Sequence, residues 1–136
     1  MENSHQKPYI INFPKIGNSE TGYISVAENN NLPFSPKRIY WTFFTPSEMN
    51  RGFHAHKELQ QVIVAVSGLI KFNIKNNLGE ELEFILDDPS KGLMIPKMYW
   101  REISFSHNAV LLCIASEIFD ENDYIRNFKE FTTTKI

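Results

Sequence analysis

Turn-forming residues cut this chain at intervals of roughly 8–12 positions, and the pieces between them are too short for ordinary helices. What lies between is apolar, β-branched or alternating. Candidate strands cover residues 9–13, 22–27, 38–45, 53–56, 60–67, 69–75, 80–86, 92–96, 99–105 and 109–116. Clear alternation, the mark of a half-buried strand, runs through Lys71-Phe72-Asn73-Ile74-Lys75 and through the six residues from Glu81 to Leu86. Residues 62–66 are instead continuously apolar, as expected of a strand covered on both faces. The Asn- and Gly-rich stretch 75–80 predicts a hairpin turn, and Asp88-Pro89-Ser90-Lys91-Gly92 a loop. Only the end of the chain reads as helix, with Asp120 as N-cap and Ile125 and Phe128 on an apolar face. The expected class is all-β, a sandwich or barrel of short strands with a short C-terminal helix.

Length and composition narrow the function. At 136 residues the chain predicts one domain, 1–136, able to build a core without disulfide staples. Eleven Phe within 42% hydrophobic content favour a β-rich interior over disorder. A formal charge of −2 gives no electrostatic footprint for nucleic acid. The single cysteine, Cys113, sits in an apolar run and is expected as a core residue, with no disulfide in the chain and a cytoplasmic setting. The first residues resemble no signal peptide, and no segment is apolar for long enough to span a membrane as a helix. His5 lies in a polar N-terminal segment and is expected to be disordered; His107 is expected in a solvated turn.

The chemistry concentrates between Arg51 and Gly68. His54 and His56 are two apart, so on a strand both imidazoles leave the same face. Such a pair can ligate a metal or move protons near neutral pH. Glu58, the nearest carboxylate, falls on the other side by parity. Tyr40 and Trp41 are adjacent on one strand, so only one of them can line a pocket. Asp120, Glu121 and Asp123 read as acids favoured at a helix N-terminus.

Gly52, His54, His56, Gln61 and Gly68, followed by Gly92, Pro96 and Met98, resemble the two motifs of the cupins, small jelly-roll barrels of antiparallel strands. A cupin metal site uses three imidazoles and a carboxylate. Here Gln61 stands near the carboxylate position and Arg101 where the last His would fall. An amide is a poor substitute, and a guanidinium beside a divalent ion is repulsive and cannot ligate. The departures therefore predict no metal and no other cofactor, and a pocket for an anionic ligand.

The match narrows further. Arg51-Gly52-Phe53-His54-Ala55-His56-Lys57, Gln61-Val62 and Pro96-Lys97-Met98-Tyr99-Trp100-Arg101-Glu102, with Tyr124-Ile125-Arg126 and Phe128, are similar to the sugar-nucleotide 3,4-ketoisomerases. That resemblance implies isomerisation of a dTDP-linked 4-keto-6-deoxyhexose to its 3-keto isomer through an enediolate. The product would feed 3-amino-3,6-dideoxy sugars of surface glycans. It also implies a homodimer that exchanges an N-terminal strand. His54 and His56 are the expected catalytic pair. Arg51, Arg101, Tyr40, Gln61 and Trp100 are the expected substrate-binding residues, Arg51 toward the diphosphate and Trp100 as barrel wall or stacking platform. The competing readings are a sugar-nucleotide 3,5-epimerase, a non-catalytic sugar-binding cupin and a metal-dependent cupin.

Overall fold

The structure, a computed structural model, describes residues 6–134. His5 lies outside them. Two five-stranded antiparallel sheets face each other. One has the order β1 (Tyr9–Asn12), β9 (Lys91–Ile95), β6 (Gln61–Ser67), β11 (Val110–Ala115), β4 (Arg38–Phe43). The other has the order β12 (Tyr124–Ile125), β5 (Asn50–His56), β10 (Trp100–Phe105), β7 (Ile70–Lys75), β8 (Glu81–Leu86). A two-stranded ribbon, β2 (Ile16–Asn18) with β3 (Gly22–Ile24), projects separately. This is the expected jelly-roll sandwich, with every pairing antiparallel.

The sequence pattern explains the layers. On β6, Ile63 and Ala65 point between the sheets, while Val62 and Val64 point outward beneath Phe13, Leu32 and Phe34 of the N-terminal segment. Both faces are covered, hence the continuous apolar run. On β7, Ile70, Phe72 and Ile74 face in and Lys71 is exposed, hence the alternation. A smaller apolar cluster of Ala55, Met98, Trp100, Ile125 and Phe131 fills the outer side of the second sheet, under helix α1 (Phe128–Thr133). The hairpin turn falls as expected: Asn76 Oδ1 accepts from the Leu78 and Glu80 amides, both at 2.9 Å.

The C-terminal segment departs from expectation. Asp120 caps a single 3₁₀ turn, residues 121–123, by accepting from the Asn122 amide at 3.0 Å. Ile125 lies in β12, not on a helix, and the helix begins at Phe128 with Asn127 as its cap, accepting from the Glu130 amide at 2.9 Å. The predicted strand over residues 22–27 is also shorter, ending at Ile24. Among the described residues no helix is long and apolar enough to cross a membrane.

Candidate active site

Strand β5 carries the histidines, and its neighbours on both sides aim them. The pairing with β10 slips: Arg101 faces His54, but Glu102 faces Gly52, so Phe53 is an extra, bulged residue. Gly52 has φ +96° and Phe53 φ +56°. A Cβ on Gly52 would lie 2.8 Å from the Arg101 carbonyl oxygen, so glycine is required there by backbone conformation and by space. Beyond the bulge the alternation resumes. Ala55 packs outward under the helix, and His54 and His56 turn to the barrel interior, their rings edge-to-face with centroids 4.8 Å apart. On the other edge β12 pairs Tyr124 with His56 and Ile125 with Ala55. The backbone of His56 is fixed again by the Met98 amide, which donates to its carbonyl at 2.7 Å from a left-handed φ of +64°.

Beside the pair lies Arg101, 2% exposed and without a carboxylate partner among the described residues. Its guanidinium donates to Gln61 Oε1 and, at 3.1 Å, to the Tyr99 carbonyl. Gln61 in turn donates from Nε2 to Tyr40 Oη at 2.9 Å and to Cys113 Sγ at 3.2 Å. Tyr40 stands opposite Cys113 on β4 and therefore faces in, while Ile39, Trp41 and Phe43 face out. Arg38 shares Tyr40's parity. Its guanidinium lies 5.3 Å from the Tyr40 ring and 5.8 Å from that of Phe119. A cavity of about 250 Å³ opens here, with Arg38, His56, Leu59, Asp123 and Tyr124 in its wall.

The electrostatics follow from burial and from Arg101. Desolvation, then the Arg101 charge, pushes His54 down to about 3 and His56 to about 2, so both imidazoles are neutral at pH 7. Burial also raises Tyr40 above the usual phenol range and Cys113 to about 11, leaving both protonated. The Gly52 carbonyl can only accept, so His54 donates to it from Nδ1 at 2.9 Å and keeps a bare Nε2. Gln61 Nε2 donates to Tyr40 Oη, and the same hydroxyl is in hydrogen-bond contact with the Cys113 thiol. This arrangement provides two neutral imidazoles, a phenol hydroxyl and one buried cation, which suits an acid–base reaction through an anion.

Of the residues expected from sequence, His54, His56, Arg101, Tyr40 and Gln61 are brought together. Gln61 is 2% exposed and spends its groups on protein partners, so it supports the site from behind. Trp100 is not in the pocket. It sits on the opposite face of β10 from Arg101, 3% exposed, with Phe128 and Phe131 of the helix at 5.1 and 5.8 Å, and donates to Glu102 at 3.3 Å. Arg51 is exposed on β5, three residues before His54, and its guanidinium makes no hydrogen bond or ion pair with the described residues. Glu58 is exposed and pairs with Lys97 at 3.8 Å.

Three residues escaped the sequence reading. Arg38 could have been found from its parity with Tyr40. Tyr124 lies 5.0 Å from the His54 ring and 4.4 Å from His56. Asp123 is an acid of the 3₁₀ turn, as expected, and in addition its Oδ2 is 3.4 Å from His56 Nδ1. A two-residue strand has no periodicity to announce it. Among the described residues no three His, Cys, Asp or Glu side chains converge as metal ligands.

Comparison with known proteins agrees with this chemistry. Residues 6–135 match the family described as FdtA: WxcM-like, C-terminal. The chain is 41% identical, over 124 residues, to TDP-4-oxo-6-deoxy-alpha-D-glucose-3,4-oxoisomerase of Aneurinibacillus thermoaerophilus, covering 90% of this chain and 88% of that protein. It superposes with TM-score 0.88 and 36% identity on a His-to-Asn variant of the 3,4-ketoisomerase QdtA from Thermoanaerobacterium thermosaccharolyticum, in complex with TDP-4-keto-6-deoxyglucose, over 93% of this chain and 91% of that one. A 3,4-ketoisomerase from Helicobacter canadensis is 38% identical with TM-score 0.87, over 94% and 96% of the two chains.

Proposed function

This chain belongs to the FdtA (WxcM-like, C-terminal) family, and from that premise we infer that it is a sugar-nucleotide 3,4-ketoisomerase acting on a TDP-linked 4-keto-6-deoxyhexose. The observation that carries the reading is the pair of neutral imidazoles, 4.8 Å apart, beside a buried arginine that pairs with no carboxylate among the described residues.

The carbon 4 ketone acidifies the hydrogen on carbon 3. An imidazole of the His54–His56 pair takes that proton, and the electron pair left behind makes an enediolate. A proton is returned to carbon 4, the carbon 3 hydroxyl gives up its proton to the carbon 4 oxygen, and the carbonyl now stands at carbon 3. Two hydrogens change place and nothing external is oxidised or reduced. Proton transfer by positioned side chains supplies roughly 10²–10⁴-fold in rate. The anion that forms is the counter-charge Arg101 lacks, and the Tyr40 hydroxyl donates beside it; such donors supply roughly 10²–10³-fold. Arg38, at the cavity wall, and Arg51, on the exposed part of β5, are the cations for the diphosphate, where a guanidinium fork suits phosphate oxygens.

The working form in this reading is a homodimer in the cytoplasm. Ile39, Trp41 and Phe43, 55%, 60% and 53% exposed, form an apolar stripe on the outer face of β4, the kind of surface a second copy can cover. Among the described residues strand β1 pairs with β9 and lies at the sheet edge, the kind of strand two copies can exchange.

The test is incubation with TDP-4-keto-6-deoxyglucose in deuterated water, followed by NMR. A 3-keto species with deuterium at carbon 4 is expected. His54→Asn and His56→Asn should each lower turnover by roughly 10²-fold or more while leaving the fold intact. Exchange at carbons 3 and 5 with the ketone still at carbon 4 would replace this reading with epimerisation.

A further inference from the structure

We propose that Asp123 is a positioning residue for His56, holding its imidazole as the Nδ1–H tautomer and leaving the Nε2 lone pair free for proton transfer. The inference rests on the acid–base reading of the histidine pair and assigns a role to a side chain outside it.

The Asp123 carboxylate is itself held still. Its Oδ1 accepts from the Glu58 amide at 2.8 Å and its Oδ2 from the Leu59 amide at 3.2 Å. Its backbone carbonyl accepts from the Lys57 amide at 2.9 Å. The chain leaving β5 after His56 is thus clamped around this one residue, and the side chain is only 15% exposed. Oδ2 then faces His56 Nδ1 at 3.4 Å, longer than a good hydrogen bond and short enough to tighten when the ring becomes charged.

The other groups around His56 cannot do this. His54 meets it edge-to-face and Tyr124 lies against it from β12. Arg101, Arg38 and Arg126, from β10, β4 and the segment after β12, are cations that oppose a second proton on the ring. Of the other acids in the same cavity wall, Glu58 is turned toward Lys97, Glu117 toward Lys37, and Asp120 accepts from the Asn122 amide. Asp123 is the anion whose oxygen faces Nδ1. His54 has a neutral counterpart, because the Gly52 carbonyl holds its Nδ1–H. Both rings would then present the same nitrogen: among the described residues neither Nε2 has a hydrogen-bond partner, and His56 Nδ1 has only the 3.4 Å approach of Asp123. When His56 Nε2 takes a proton, the imidazolium is stabilised by Asp123 through Nδ1–H, and the same proton leaves from Nε2. The carboxylate stays ionised throughout, as in carboxylate–imidazole pairs generally.

The test combines a spectrum and a variant. Long-range nitrogen–proton NMR of enzyme labelled in its histidine rings, at pH 7, should show His54 and His56 both neutral and both protonated at Nδ1. A wild-type His56 protonated at Nε2 overturns the proposal without any variant. Asp123→Asn removes the charge but keeps a carbonyl acceptor for the Glu58 amide. It should give a mixed His56 tautomer, kcat lower by at least about tenfold, KM within about threefold, and an acid limb of the kcat profile moved to lower pH. A folded variant with wild-type tautomer, kcat and pH profile would reduce Asp123 to a loop cap. If wild-type enzyme leaves the keto sugar unchanged, the activity reading fails, and the ring spectra still decide the role of Asp123.

Discussion

At the residue scale, the histidine pair is governed by one buried charge beside it that no carboxylate among the described residues neutralises. A buried guanidinium without a carboxylate is costly, and among the described residues Arg101 has Gln61 and the Tyr99 carbonyl to offset that cost. One consequence can be read in stability. His54 and His56 titrate near 3 and 2 in the folded chain against 6.5 when unfolded, so on acidification the unfolded chain takes up protons first. Stability is therefore whole above about pH 6.5 and falls as pH drops from there toward 3, by up to about 1.4 kcal/mol per pH unit for each imidazole. Urea midpoints measured between about pH 7 and pH 5 should fall steadily, and the double variant His54→Asn/His56→Asn should flatten that slope. The histidine pair and Arg101 were legible in the sequence because spacing and residue type carry their chemistry. Of the two expectations for Trp100, barrel wall and stacking platform, the structure has the packed one, as parity requires: neighbours on one strand face opposite ways, and Arg101 already faces in.

At the element scale, the decisive feature is the bulge at Gly52 and Phe53. It shifts the pairing of β5 by one residue, so His54 lies opposite Arg101. Gly52→Ala forces a Cβ to within 2.8 Å of the Arg101 carbonyl, at a φ that L-residues avoid. It should cost about 1–3 kcal/mol in denaturant unfolding and lower kcat, because relief of the clash moves the two strands apart. An alanine variant as stable and active as wild type would remove the bulge from the argument. Such a bulge is not visible in sequence, where Arg-Gly-Phe-His reads as plain strand. The C-terminal segment was misread for a related reason. Asp120 and Asn127 are both good helix caps, and only the structure shows that the first caps a 3₁₀ turn and the second the helix. The intervening β12 is fixed by its partner β5 and has no pattern of its own.

At the scale of the whole molecule, the two-sheet architecture was legible because each strand's alternation, or lack of it, reflects how many of its faces are covered. The outer face of β4 shows the limit of that reading. The alternation of β4 is evident, but its aromatic side faces solvent, with Trp41 60% exposed. Sedimentation should show a dimer for the wild-type chain, and Trp41→Arg should shift it to monomer with the histidine site still folded. A monomeric wild type would leave that stripe without the partner proposed for it. The placement of β12 has a last consequence, for synthesis. The strand that brings Asp123 and Tyr124 against the histidines follows every other strand of both sheets in chain order. A nascent chain could assemble the rest of the barrel before β12 has emerged from the ribosome, with the edge of β5 open to water or to a neighbouring chain until then. The site would become competent only after β12 has emerged, so a product truncated before Asp123 would be a folded but idle barrel.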